Sequence, residues 1–318
     1  MQRPPTPSRP YRIVIAGTGS MASSIAAVFL SGGASVVLLG RATHKTALAL
    51  GDVLRDAGAI DTQLAIGEMQ SRLRAGDLWT WNEWDDVDLV IESVVEHLEI
   101  KRKIFAEFDR RVPACIPIGS NSSGFGISEL TAGLATARRM LNLHFLMPAN
   151  FVPLVEIALG IATDRNIGQQ VRDLMCRFGK KPILIERDIP GLIASRLQHA
   201  LMREALALID TNIVTPDEID DAVRFGFGFR YAAVGPMMQK EMSGWDTHLS
   251  SATTVYPSLA TNVTPGKWLT EMVEDGRTGL SSGAGYKVWT AQTAQSIKGI
   301  FDKRLKAALA VLRVAPDI

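Results

Sequence analysis

The two side chains in this sequence best suited to moving a proton are His144 and Glu156. His144 lies in Leu143-His-Phe-Leu-Met-Pro148, near the end of an apolar run. Glu156 lies in Pro153-Leu-Val-Glu-Ile157, flanked by apolar neighbours. An ionised glutamate in such surroundings needs a partner, because an isolated buried charge is very costly. Histidine is a suitable one. Pairing would fix the imidazole tautomer and stabilise the imidazolium, giving a proton donor or acceptor near neutral pH. Ser120-Asn-Ser-Ser123 adds hydroxyls and an amide after another short apolar run. Residue by residue, plainer readings stand beside this one: a histidine bonded to backbone at a strand end, and a salt-bridged structural acid.

These groups become a site only if the chain brings them together, and strand and helix signals alternate up to about Glu186. Strands are expected at 12–16, 35–39, 87–91, 116–119, 140–145, 154–158 and 182–186, with helices over 97–111 and near 167–178. Such alternation predicts an α/β fold, a doubly wound parallel sheet with helices on both faces. Ligands of that architecture sit beyond the carboxyl ends of the strands, where the 120–123 segment, His144 and Glu156 all fall.

The first strand leads into Gly17-Thr-Gly19-Ser20-Met21-Ala22. Gly17 permits a tight turn, Gly19 lets backbone approach a pyrophosphate, and the following helix offers N–H donors and positive partial charge. Ala22 keeps helix and strand close. A strand before and an apolar helix after make this a candidate dinucleotide loop, with Gly17, Gly19, Ser20, Met21 and Ala22 at the cofactor. The alternative is a glycine turn that only packs a strand against a helix. Removal of a secondary alcohol's proton beside a nicotinamide would then fall to the His144–Glu156 pair. The second strand ends at Gly40-Arg41, about where a carboxylate would bond an adenosine ribose. With Gly40 and Arg41 there, followed by Thr43, His44 and Lys45, the expectation is NADP in preference to NAD. A solvated basic helix start is the competing reading.

The whole chain has 318 residues, 47% of them hydrophobic, and a net charge of +1. It can bury one large core or two smaller ones, and no global charge argues for nucleic acid or a membrane surface. Cys115 and Cys176 lack disulfide or metal spacing, no histidine pair has zinc spacing, and a cytoplasmic setting without metal is expected. Residues 1–10 read as a disordered proline-rich tail, 11–186 as the dinucleotide domain and 187–318 as a helical domain. In the last, 192–210 has helical spacing and Thr215-Pro-Asp-Glu218 looks like a capped helix start.

The order and spacing of several motifs carry a resemblance. Besides the glycine loop, they are Ile91-Glu-Ser-Val-Val-Glu96, Ser120-Asn-Ser-Ser123, His144-Phe-Leu-Met-Pro148, Pro153-Leu-Val-Glu156, Asp188-Ile-Pro-Gly191, Gly235-Pro236 with Ser243-Gly-Trp-Asp246, and Gly283-Ala-Gly-Tyr286. From residue 11 to about 290 the chain resembles the 3-hydroxyacyl-CoA dehydrogenase family, with features of its L-gulonate dehydrogenase and λ-crystallin branch. The resemblance implies a Rossmann-type domain followed by an all-helical substrate and dimerisation domain. It makes His144 the acid/base, Glu156 its orienting partner and Ser123 a bond to the substrate oxygen, with Glu96 and Lys101 facing the cofactor riboses. It also implies a homodimer, and a 3-hydroxyacyl substrate carried as a CoA thioester.

Three departures bear on the substrate. Ser195 and Met147 stand where the family commonly has asparagines at substrate and nicotinamide. The stretch from Arg41 to Asp88 is shorter than a long CoA-holding hairpin requires; Arg72, Arg74, Trp79, Trp81 and Trp84 occupy it, as a packing cluster or as a stack for adenine. The Gly226–Tyr231 segment looks like the branch that oxidises free hydroxy compounds, with Arg230 either meeting a substrate carboxylate or bridging a domain interface. Two further functions therefore stay open: a dehydrogenase of a free hydroxy acid or polar alcohol, and a non-catalytic nucleotide-binding structural protein.

Overall fold

The computed structural model describes residues 9–312. The expected tail falls largely outside them, but Arg9 is anchored, its guanidinium gripping both carboxylate oxygens of Asp88 at 2.9 and 3.2 Å. The chain divides into two compact units after Arg196.

The first unit opens with β1 (Arg12–Ala16), α1 (Ser20–Ser31) and β2 (Ser35–Gly40). Three short helices follow, α2 (Thr43–Leu48), α3 (Leu50–Ile60) and α4 (Ile66–Ser71), then the edge strand β3 (Leu73–Asp77). Next come β4 (Leu89–Glu92), α5 (Leu98–Arg111), β5 (Ile118–Ser120), α6 (Ile127–Leu130) and β6 (Met140–Phe145). The unit continues with β7 (Leu154–Leu159), α7 (Arg165–Arg177), β8 (Lys181–Ile185) and the first turn of α8 (Ala194–Asp210). The eight strands form one sheet in the order β3-β2-β1-β4-β5-β6-β7-β8. Side-chain alternation along β1 divides the core. Ile13 and Ile15 pack with α1 and α3 on one face, while Val14 and Ala16 pack with α5 and α6 on the other. The fold is a Rossmann-type doubly wound sheet.

One pairing differs from an all-parallel sheet: β6 and β7 run antiparallel. The connection 146–153 is shorter than the dozen or so residues a parallel crossover needs, so the chain turns straight back. The edge strand β3 has no counterpart in the sequence reading, because Arg72-Leu-Arg-Ala-Gly-Asp77 lacks a strand's apolar pattern. The tryptophans beside it form a packing cluster. Trp84 is buried and meets Trp81 edge-on at 4.5 Å, and the Arg111 guanidinium lies 5.8 Å from the Trp84 ring centre.

The second unit contains the rest of α8, then α9 (Pro216–Asp221), α10 (Gly228–Tyr231), α11 (Pro236–Ser243), α12 (Trp245–Val255), α13 (Lys267–Glu274) and α14 (Ala291–Val311). Thr215 and Glu218 close the expected capping box. Gly226, at φ −96° and ψ −115°, breaks the helical path between α9 and α10. Among its described hydrophobic residues only Ala205 and Met272 are buried. No helix among the described residues is long and apolar enough to cross a membrane.

Candidate active site

The antiparallel register sets His144 of β6 directly opposite Glu156 of β7. Their side chains lie on one face of the sheet, with His144 Nδ1 2.8 Å from Glu156 Oε2. Glu156 is fully buried, yet its carboxylate is completely provided for. Oε1 accepts the backbone N–H groups of Ile193 and Ala194, both at 2.9 Å, at the start of α8. Burial pushes the acid's pKa up, but the His144 bond and the Ala194 and Ile193 N–H groups outweigh it and hold the pKa below the usual range. An ionised carboxylate only accepts, so Nδ1 donates and Nε2 is the ring nitrogen left for chemistry. Nε2 has no hydrogen-bond partner among the described residues and retains access to solvent.

The ends of β4 and β5 brace this pair. Asn121 accepts the Phe145 N–H at 2.8 Å and donates to Ser93 at 3.3 Å, tying the backbone beside His144 to the β4 terminus. The Ser123 side chain is exposed, and its carbonyl accepts the Gly191 N–H at 3.1 Å. That bond joins the 120–123 segment to the loop that starts α8, where Ser195 is the second helical residue. Ser123, His144, Glu156 and Ser195 are thus drawn into one region of the first unit. Met147 is exposed on the connection after His144. Arg230 is exposed on α10 of the second unit.

Glu96 and Lys101 are arranged differently from the expectation that both face a cofactor. Lys101 is buried, and its ammonium bonds Glu92 Oε1 and Oε2 at 2.7 and 3.0 Å and Glu96 Oε2 at 3.1 Å. All three of its donors are taken. Glu96 is half-exposed; it accepts the Ser122 hydroxyl at 2.5 Å and the Gly124 N–H at 2.9 Å. Partial burial pushes its pKa up, but these bonds and Lys101 bring it down overall. Lys101 therefore holds Glu96 in place. Sequence reasoning missed Glu92, which accepts the Ser120 hydroxyl at 2.7 Å as well. A signal was present: Lys101 falls on the apolar stripe of α5 with Leu98, Ile104, Phe105 and Phe108, and a lysine in a core position requires a buried acid.

The glycine loop fits a dinucleotide phosphate. Gly17 has φ +139°, and a Cβ there would lie 2.2 Å from the Ser93 carbonyl oxygen. At Gly19 a Cβ would meet nothing within 4 Å, so space opens on that side of the loop. The first turn of α1 has no side-chain cap and no acidic residue, leaving its N–H groups and dipole free for an anion. Ser20 is exposed on that turn, Met21 is half-buried and Ala22 is buried against the strand.

The sequence profile of the 3-hydroxyacyl-CoA dehydrogenase NAD binding domain matches residues 12–189, and that of the C-terminal domain matches 191–289. The chain belongs to the 3-hydroxyacyl-CoA dehydrogenase family. Over 308 residues it is 27% identical to a 5-formyl-3-hydroxy-2-methylpyridine 4-carboxylate 5-dehydrogenase of Mesorhizobium japonicum, covering 95% of this chain and 97% of that one. An L-carnitine dehydrogenase of Streptomyces griseus is 33% identical over 76% of this chain and 72% of its own. Among solved structures, that of a 5-formyl-3-hydroxy-2-methylpyridine 4-carboxylic acid 5-dehydrogenase, described as an NAD+-dependent dismutase, superposes with a TM-score of 0.87 at 25% identity, covering 96% and 99% of the two chains. A (S)-3-hydroxybutyryl-CoA dehydrogenase from Ralstonia eutropha gives 0.71 at 26% identity, covering 89% and 100%.

Membership in the family corrects the cofactor expectation. A preference for NADP is overturned, because the matched family domain is an NAD binding domain and the structure superposing at 0.87 is that of an NAD+-dependent enzyme. The physical reason lies at Gly40. A Cβ there would fall 2.3 Å from Thr46 Oγ1 and 2.9 Å from Thr18 Cγ2. Its glycine answers to packing of α2 and the loop on the strand end and says nothing about a ribose phosphate. Arg41 is simply exposed beside it. Among the described residues no group of three His, Cys, Asp or Glu side chains is placed to hold a metal.

Proposed function

We propose that the protein is an NAD-dependent dehydrogenase that interconverts a hydroxyl and a carbonyl on a small polar substrate. The observation that carries this reading is the 2.8 Å His144–Glu156 pair with Nε2 left unengaged. A bound nicotinamide supplies the acceptor or donor of hydride. In the oxidative direction His144 Nε2 takes the hydroxyl proton, and Glu156, held ionised by three donors, balances the imidazolium that forms. In reduction the same nitrogen returns the proton. Ser123 offers its exposed hydroxyl to the substrate oxygen. Backbone groups at Gly19 to Ala22 would hold the pyrophosphate, and Glu96, fixed by Ser122, Gly124 and Lys101, would meet a cofactor ribose.

Free hydroxy compounds are the better-supported substrates, ahead of the CoA thioester that the family resemblance implies. Ser195 and Met147 replace the family's amides, short helices α2 to α4 occupy the 41–88 stretch, and the relative matched over 95% of the chain and the L-carnitine dehydrogenase have names that carry no CoA. From the sequence alone, Arg230 is proposed to meet a substrate carboxylate, which a guanidinium would hold bidentately. The exposed apolar residues of the second unit support a homodimer built through it.

His144→Gln is expected to lower turnover about 10²- to 10⁴-fold while NADH binding, read by fluorescence, survives. Undiminished turnover would remove the assignment. Assaying NADH oxidation with acetoacetyl-CoA against free β-keto acids decides the substrate class; activity confined to the thioester would reverse the preference stated here.

A further inference from the structure

At the amino ends of β1 to β3, opposite the strand ends that hold the glycine loop and His144, lies a cavity of about 240 Å³. Arg12, Ser35, Ser71, Arg72, Arg74 and Glu83 line it. The sheet register explains the gathering. Arg12 pairs with Ser35, and Val37 with Arg74, so residues near the amino ends of three adjacent strands crowd one corner.

The arginines that line it are unequally satisfied. Arg12 is engaged by Glu83 at 2.9 Å. Among the described residues Arg72 has only two long contacts, the Leu30 carbonyl and Glu68, each at 3.4 Å, and its Nε is buried with no hydrogen-bond partner there. Arg74 has neither a hydrogen bond nor an ion pair among the described residues. Three guanidinium groups therefore share two carboxylates, and one of the three is largely buried and poorly satisfied. Planar N–H forks of this kind match tetrahedral oxyanions. The volume suits a phosphate group and is smaller than typical pockets for drug-sized ligands.

We propose that this corner is a second binding site, one that takes a phosphate group, separate from the dinucleotide loop and independent of the dehydrogenase reading. Phosphate would bridge Arg74 and Arg72, with the Ser35 hydroxyl as a neutral donor.

The test is a calorimetric titration of the full chain with inorganic phosphate at constant ionic strength, chloride replacing phosphate in the control, without and with saturating NADH. Saturable binding is expected, undisturbed by NADH, and weakened at least about 10-fold by Arg74→Ala, which removes one charge-assisted fork. Arg74→Lys, which keeps the charge and loses the fork, should fall between the two; it stands in if the alanine variant melts lower than the wild type. Absence of saturable heat would overturn the proposal. So would displacement of phosphate by NADH, or binding unchanged in either Arg74 variant.

Discussion

At the scale of single residues, two buried charges are accommodated in opposite ways. Both carboxylate oxygens of Glu156 accept hydrogen bonds, and its pKa is lowered despite burial. An acid with a lowered folded-state pKa stabilises the fold above the ordinary carboxylate range, and that contribution disappears as pH falls through the lowered value. Glu156→Gln is therefore expected to flatten the acid limb of a chemical-denaturation series below about pH 4, and to reduce kcat with NADH affinity retained. An unchanged acid limb would count against the ionised, triply bonded carboxylate. Lys180 is the opposite case. It is buried with its ammonium on the carbonyls of Ala149 and Val152, and burial lowers its pKa from 10.5 to about 8. The unfolded chain then holds the proton more tightly between pH 8 and 10.5, so stability should rise with pH across that window by about 3 kcal/mol, at 1.36 per pKa unit. Urea unfolding of wild type and Lys180→Met at pH 7, 8, 9 and 10 checks this: the variant should lose the rise, and parallel curves would refute it.

At the scale of elements, two short stretches do most of the positioning. Gly17 is held at φ +139° with the Ser93 carbonyl where a side chain would be. Gly17→Ala should displace the loop or the β4 end and weaken NADH binding at least about 10-fold, the price of one strained residue at 1–3 kcal/mol; fluorescence titration reads it, and unaltered affinity would show that the loop yields freely. The second stretch is the 146–153 return. It makes β6 and β7 antiparallel and so puts position 144 against position 156. Much of this was readable in the sequence. The apolar runs of β1, β2, β4, β6 and β7, the glycine turn, and the histidine and acid in apolar surroundings all announced themselves. What escaped has a common cause, since it depends on partners distant in the chain. Strand direction at β7 turns on a connection length, β3 is a strand only because β2 lies beside it, and Glu92 with Lys101 makes sense only as a pair. Gly40 was misread because its neighbours, Thr18 and Thr46, are invisible to local inspection.

At the scale of the whole molecule, the two units contrast in how they hide apolar surface. The first wraps a sheet between two helical layers. The second leaves Phe225, Phe229, Met242, Leu249, Tyr256 and Phe301 exposed on a single chain. That many large apolar side chains in water is consistent with the proposed dimer. Sedimentation equilibrium should return twice the chain mass, with thermal stability rising with protein concentration; a monomer at micromolar concentration would refute the dimer.

The two oxygens of Glu156 answer to different masters. One holds the imidazole proposed to move the proton, whereas the other ties down the first turn of α8 and would be needed whether or not the protein turned anything over. Lineages that abandoned turnover would be free to let position 144 drift but would be penalised for losing the acid at 156. Across relatives, a retained glutamate opposite a vanished histidine is thus the mark of a scaffold kept after its chemistry was given up.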